Sequence, residues 1–336
     1  MRVARLHAVG DLRLADEPVP EAEPGTTLVR VTAVGICGSD LHWWEEGGVG
    51  DALIERPLVL GHEAAGVIED GPLRGTRVAI DPAIPCDSCR PCRDGYRNLC
   101  LAVRFAGHGG QDGAMRELLA WPSHLLHPLP DSVADADGAM LEPLGVAIHS
   151  LDLGHMRLGA SVVVAGCGPI GLMLIQIVRS AGAERVTAFE PLPHRRAEAL
   201  RLGADTAVDP ETVRTVSDLR ELVGGGADVA LEMAGTDGAV RLAMAACRAG
   251  GRVVLGGIPA DDQITFPASL ARRKGLTIAM VRRMNEVYPR AISLAASGRI
   301  ELERLVTSRF GLTKVDEAFG VAAKREGLKI IISPAQ

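Results

Sequence analysis

The chain has 336 residues, 42 of them acidic and 36 basic, for a formal net charge of -6. That length suggests about two domains, and the acidic balance leaves no basic face fit to hold a phosphate backbone, which argues against nucleic acid as a partner. The amino-terminal stretch MRVARLHAVGDLRLADEP lacks an apolar signal core, and no apolar run nears the ~18 residues of a membrane helix, so a soluble, cytoplasmic protein with no membrane partner is expected.

From the amino terminus, the short apolar segments TLVRVTAVG (27–35), EAAGVIED (63–70) and TRVAIDP (76–82) are separated by Gly and Pro turns and read as strands of a β-rich body. Three stretches near the ends of apolar segments carry the chemistry: GICGSDLHWWEEG (35–47), GHEAAGVIEDG (61–71) and MLEPLGVAIHS (140–150). Cys37 and His62 are zinc donors by softness, and Glu63 or Glu142 can complete three protein ligands while a position stays open for water or substrate, which is the pattern of a catalytic site. Ser39 and His42 are spaced so that a hydroxyl near the metal can pass its proton outward to an imidazole. Taken alone, a buried Cys is usually a small core residue and a carboxylate beside His a surface pair.

Between these stretches runs PCDSCRPCRDGYRNLC (85–100), which places Cys86, Cys89, Cys92 and Cys100 in a C-x2-C-x2-C-x7-C pattern. Tetrahedral zinc takes four thiolates, and the short C-x2-C turns bring successive sulfurs to one centre at low loop-closure cost. Free cysteines, a disulfide pair or an iron-sulfur cluster are the competing readings. The last lacks its usual closing C-x3-C-P. Only Cys37, Cys167 and Cys247 lie outside this run, a pattern of a metalloprotein rather than a disulfide scaffold.

In the second half, ASVVVAGCGPIGLMLIQIVRSAGAERVTAFE (160–190) reads as strand, glycine turn, helix, strand. Gly166 permits a tight turn, Gly168 lets backbone N–H groups approach a pyrophosphate, and Gly171 allows close helix–strand packing. Pro169 and Ile170 open the helix, and Glu190 ends the next strand where a carboxylate accepts from ribose hydroxyls. The alternation continues with a strand at 227–235, a helix DGAVRLAMAACRAG over 237–250, and strands at 252–259 and 275–281, extending a parallel sheet. Helical patterns YPRAISLAASG and KVDEAFGVAAKRE follow, then a strand LKIIIS (328–333) that is expected to return to the first body.

GICGSDLH, GHExxG, the four-cysteine lobe, LEPLGV and GCGPIG, in this order, resemble the zinc-dependent medium-chain dehydrogenases, and within them the sorbitol (polyol) dehydrogenase branch. The resemblance covers nearly the whole chain. It implies an α/β protein: a GroES-like β-rich catalytic domain (1–145 and 288–336, with a structural zinc lobe at about 84–102) and a Rossmann-type doubly wound parallel sheet domain (146–287), with the active site in a cleft. It further implies two zinc ions per chain, an alcohol or polyol as the small-molecule substrate, and a homo-tetramer or homo-dimer. The reaction implied is oxidation of a secondary alcohol to a ketone or ketose with hydride transfer to a nicotinamide. L-Threonine and 2,3-butanediol dehydrogenases share the plan, and quinone reductases and lens structural proteins share the fold without the metal.

Carried residue by residue, Cys37, His62 and Glu63 match the catalytic-zinc positions, and Glu142 the nearby glutamate that is either a ligand or a partner of bound water. Ser39 and His42 match the proton relay, and Glu190 and Arg195 the residues at the adenosine ribose. Glu190 repels a 2'-phosphate and so favours NAD, with Arg195 and Arg196 nearby leaving NADP as the alternative. Trp43 stands where sorbitol dehydrogenases commonly have Tyr. Trp43, Phe105 and Arg282 (or Arg283) are the expected substrate contacts, with Trp44 and Glu46 as further cleft candidates.

Overall fold

The computed structural model describes residues 1–335. The chain divides into two compact units, Met1–Pro143 with Asn285–Gln336, and Leu144–Met284.

In chain order the elements that position the site are strands β1 (Arg2–Ala8) and β2 (Thr26–Gly35), helix α1 (Gly38–Glu46), and strands β3 (Glu63–Ile68), β4 (Arg77–Ile80), β5 (Leu118–Pro122) and β6 (Leu126–Pro128). Helix α2 (Leu141–Gly154) leads to β7 (Ser161–Ala165), α3 (Pro169–Ser180), β8 (Arg185–Phe189), α4 (Pro193–Arg201), β9 (Thr206–Val208), β10 (Ala227–Glu232), α5 (Asp237–Ala246), β11 (Cys247–Leu255) and β12 (Thr277–Met280). Helix α6 (Tyr288–Ala296), β13 (Val306–Gly311), α7 (Val315–Ala323) and β14 (Lys329–Ser333) complete the order.

The first unit is built on a seven-stranded sheet, β6-β4-β3-β2-β14-β13, with β5 pairing the first half of β2. Along β2 the buried positions Val29, Val31 and Ala33 alternate with half-buried ones, the period expected of a strand with one face on a core. That core holds Leu6, Trp43, Leu60, Ile80, Met115, Trp121 and Phe319, each at most 2% exposed. Pairing sets Glu63 opposite Gly35 on one side of β2 and Ile331 opposite Gly35 on the other. A methyl group at Gly35 would stand 2.0 Å from a Glu63 carboxylate oxygen, so the missing side chain makes room for that charge.

The second unit carries six parallel strands in the order β9-β8-β7-β10-β11-β12. Val162, Val163 and Val164 of β7 are fully buried, as in a strand covered on both faces, and each contributes on the order of 1.5–3 kcal/mol. The order reverses between β7 and β10, and ligands of open α/β sheets bind outside the carboxyl ends of the strands at such a reversal.

The expected strands at 227–235, 252–259 and 275–281 form as Ala227–Glu232, Cys247–Leu255 and Thr277–Met280, and one of these shifts has a clear cause. The helix anticipated over 237–250 stops at Ala246, and Cys247–Leu255 is strand. The Lys274 ammonium donates to the carbonyl oxygens of Met244, Ala245 and Cys247 at 2.6–3.1 Å, satisfying the helix end, and β11 then pairs with β10. That lysine lies 27 residues beyond Cys247, outside any local window.

Beyond β4, the Asp81 carboxylate accepts the Ala83 N–H, its main-chain oxygen accepts the Trp121 indole N–H, and Tyr288, stacked on His127, donates to the Ile80 oxygen. Burial pushes the Asp81 carboxyl up to about 6. The folded protein therefore holds this proton at pH values where the unfolded chain, titrating near pH ~4, has released it, so this group's contribution to stability falls as pH rises from about 4 to 6. Asp81→Asn keeps an acceptor and removes the titration. Urea unfolding at about pH 4 and pH 7 should show the variant gaining on the parent by ~2 kcal/mol at the higher pH.

Candidate active site

The amino end of α1 and the start of β3 bring together the Cys37 sulfur, a His62 ring nitrogen and a Glu63 oxygen, all within 4.8 Å of one another. The fully buried Asp40 fixes this arrangement. Its Oδ2 accepts the Cys37 N–H at 2.9 Å and its Oδ1 accepts the Gly61 N–H at 3.2 Å, with His62 Nδ1 3.5 Å away. A proton on Nδ1 facing Asp40 leaves Nε2, 3.5 Å from Ser39 Oγ, as the lone-pair donor, the arrangement by which carboxylates orient metal-binding histidines. Burial pulls the His62 pKa down, but Asp40 and the Cys37 sulfur outweigh it and hold the group well above its ordinary value.

Glu63 is fully buried and accepts from Lys329 Nζ on both oxygens, at 2.7 and 2.6 Å, while the same ammonium donates to the Ile36 oxygen at 3.0 Å. The strand β14 thus delivers a cation to the wall of the candidate centre. Glu142 does not join the three-donor group. It lies in the first turn of α2, and burial pushes its carboxyl up to about 7, with His62 pulling it down and Glu63 pushing it further up. The donors present fit zinc: one thiol, one imidazole and one carboxyl, the number of protein ligands that catalytic zinc sites use when a fourth position goes to water or substrate.

The lobe cysteines also converge, their four sulfurs lying within 4.8 Å of one another and all in the free thiol form. Tetrahedral zinc with Zn–S near 2.3 Å requires S···S edges of roughly 3.8 Å, and Cys89 and Cys92 stand 3.4 Å apart. Cys86 and Cys89 donate backbone N–H groups to the sulfurs of Cys100 and Cys86 at 3.2 and 3.3 Å. Ser88's N–H and hydroxyl pull the Cys86 thiol down to about 6, whereas burial and the neighbouring thiols push Cys92 up to about 12. Burial and the neighbouring thiols thus oppose ionisation at Cys92 unless a cation shares its sulfur, and four free, converging cysteines fit a metal.

At the carboxyl edge of the parallel sheet Gly166 is left-handed (φ 94°), and a methyl group on Gly171 would meet the Gly166 oxygen at 2.0 Å, so the turn and the helix behind it need both glycines. Gly168 caps α3, which opens with Pro169 and Ile170. Glu190 directly follows β8 and is buried, accepting the Cys167 N–H at 2.8 Å and the Leu192 N–H at 3.0 Å. Arg195 has its guanidinium beside Gly168. Arg196 is committed elsewhere, donating to the main-chain oxygens of Glu190 and Pro191 and to Asp209.

Other expected contacts land unevenly. Phe105 packs 5.3 Å from the His62 ring. Trp43, expected at the substrate, is 2% exposed because it shares the inward face of α1 with Asp40; it packs edge-on against His108 and borders a pocket of about 220 Å³ with Ile54, Arg56 and Gly110. Trp44 turns toward Phe319, and Glu46 is taken by His42 Nδ1 at 3.0 Å. Arg282 and Arg283 follow β12 in the other unit. Asp40, Lys329 and His108 were not singled out from sequence. Asp40 had a local signal, its place in GSDLH between Cys37 and His42; Lys329 had none.

Residues 23–131 match the alcohol dehydrogenase GroES-like domain, and residues 169–297 match the zinc-binding dehydrogenase domain. Sorbitol dehydrogenase of Rattus norvegicus is 35% identical over 97% of this chain and 94% of its own length. Among solved structures, L-idonate 5-dehydrogenase from Escherichia coli superposes with a TM-score of 0.92 at 27% identity, covering 99% of this chain and 97% of that one, and 2R,3R-butanediol dehydrogenase from Bacillus subtilis with 0.90 at 30%, covering 99% of each. A GroES-like β unit joined to a Rossmann-type sheet, with a thiolate–imidazole–carboxylate centre, defines a class of metal-dependent oxidoreductases. The chain belongs to the zinc-dependent medium-chain dehydrogenase family, in which the polyol dehydrogenases are its relatives. Among the described residues no helix is long and apolar enough to cross a membrane.

The Lys329–Glu63 pair makes a stability test. Lys329→Met strands a buried carboxylate and should cost about 3–5 kcal/mol in urea unfolding with chelator present. Adding Glu63→Gln should recover most of the loss, a coupling that a double-mutant cycle measures.

Proposed function

We propose that the protein oxidises a secondary hydroxyl of a polyol or sugar alcohol to the ketone or ketose, passing hydride to NAD, with one zinc at Cys37, His62 and Glu63 and a second in the cysteine lobe. The observation that carries this reading is the three-donor group with Ser39 beside it. Bound there, zinc supplies Lewis acidity at the substrate hydroxyl, and the nicotinamide accepts the hydride. Ser39 takes the proton that the hydroxyl gives up. His42, one turn along α1, receives it in turn, and Glu46 holds the imidazole toward the exposed end of the helix. Lys329 holds Glu63 aimed, and Phe105 closes the His62 side against water.

NAD rather than NADP is supported by Glu190, a carboxylate at the place of the ribose hydroxyls, and by Arg196, whose guanidinium is spent on main-chain oxygens and Asp209 and so offers little to a 2'-phosphate. Initial rates with both cofactors against sorbitol, xylitol, galactitol, 2,3-butanediol and L-threonine test the proposal. The expected result is the highest kcat/KM with NAD and a polyol. Preference for L-threonine or butanediol would overturn the substrate class, and a higher kcat/KM with NADP would overturn the assignment of Glu190.

Metal analysis should give two zinc ions per chain. Cys86→Ser should leave one, lower the melting temperature and retain most of kcat, because the lobe ion acts on folding and not on the substrate. One zinc in the parent protein, lost in that variant, would remove the catalytic ion from the proposal.

A further inference from the structure

The exits of three neighbouring strands meet backbone to backbone at the carboxyl edge of the parallel sheet. A methyl group on Gly166, after β7, would stand 2.8 Å from the Ala234 nitrogen; one on Gly235, after β10, would stand 2.3 Å from the Ile258 oxygen; and one on Gly257, after β11, would stand 2.0 Å from the Gly235 nitrogen. Beneath this contact lies Glu232, the last residue of β10 and fully buried. Its Oε1 accepts the N–H groups of both Ala234 and Gly235 at 2.7 Å, and its main-chain oxygen accepts those of Gly256 and Gly257 at 2.8 and 3.1 Å. One residue therefore ties down the exits of β10 and β11 together.

Nothing in the chemistry assigned so far uses this side chain. Among the described residues its second oxygen, Oε2, is buried without a hydrogen-bond partner, a cost that an apolar residue of similar size would not incur. A carboxyl kept at such a position is kept for the geometry it imposes. Glu190 plays the comparable part on the other side of the strand-order reversal, where it holds the Cys167 and Leu192 N–H groups. A dinucleotide lies across that reversal, with one mononucleotide on each side.

We propose that Glu232 is a positioning residue for the nicotinamide-side half of the cofactor, its carboxyl clamping the Ala234–Gly235 turn against Gly257 so that the two strand exits form one rigid ledge. Being fully buried, it acts through the loop backbone and not by touching the cofactor. This rests on the reading of the parallel-sheet unit as the NAD site, and the experiment separates the two. ADP reports the adenosine half alone; NADH reports both halves. Dissociation constants for ADP and NADH are measured by calorimetry on the zinc-loaded parent, E232Q, E232A and G257A. Binding of both ligands by the parent tests the NAD site, and its failure would bring the proposal down with it.

In E232A, NADH should bind on the order of tenfold more weakly while ADP changes by less than about twofold. E232Q should stay near the parent, since its amide oxygen accepts the same two N–H groups. G257A, which keeps Glu232 but forces the ledge apart, should reproduce the selective loss, and it decides the matter if E232A fails to fold by circular dichroism. Equal weakening of ADP and NADH, or an unchanged ratio of the two in the folded variants, would overturn the proposal.

Discussion

A single buried carboxylate organises the candidate catalytic centre. Asp40 faces the Cys37 N–H, the Gly61 N–H and the His62 ring at once, and so links the amino end of α1 to the approach of β3. Without that link, a helix terminus and a strand terminus with no covalent connection shorter than two dozen residues would each carry one donor in its own frame. With it, the sulfur and the imidazole are fixed before any cation arrives, and the entropy of assembling the site is spent during folding. The helix benefits as well, since an acidic side chain in its first turn opposes the positive end of the helix dipole.

The same economy of charge recurs at several other groups, buried or half-buried. Glu63 is matched by Lys329, and Lys274 by three carbonyl oxygens at the end of α5. Glu190 and Glu232 are met by backbone N–H groups and not by cations. In each case a charge removed from water is returned a partner within hydrogen-bond distance, which is the condition for keeping it inside at all. The cysteine lobe differs from these clusters: backbone N–H groups donate to the sulfurs of Cys86 and Cys100, while burial and the neighbouring thiols oppose ionisation of Cys92.

What was legible in the sequence was local in the sequence. The lobe cysteines lie within fifteen residues, and the Gly166–Gly171 turn with Glu190 within one βαβ unit; both form as the spacing implies. The grouping of Cys37 with His62 and Glu63 was legible because two short motifs carry it. The position of Glu142 was not, since nothing nearby in sequence reveals that its carboxyl, in the first turn of α2, lies outside the group of donors within 4.8 Å of one another. Trp43 was placed by analogy at the substrate, but the inward face of α1 was set by Asp40 one turn earlier, and the indole follows it into the core. The early end of α5 depends on a lysine that arrives from a later loop.

Lys329 lies 266 residues after Glu63. At a synthesis rate of roughly 5–20 residues per second, the carboxylate emerges on the order of 15–50 s before its counter-charge exists. Throughout that interval β2 has its β3 neighbour at Val34 and Gly35 but lacks the β14 strand on its other side. The second unit has no such dependence, for its strands and helices come from one continuous stretch, Leu144–Met284. The two units therefore differ in what they require of the chain: the parallel-sheet unit draws on one continuous stretch, whereas the first unit needs a strand that follows the whole inserted unit.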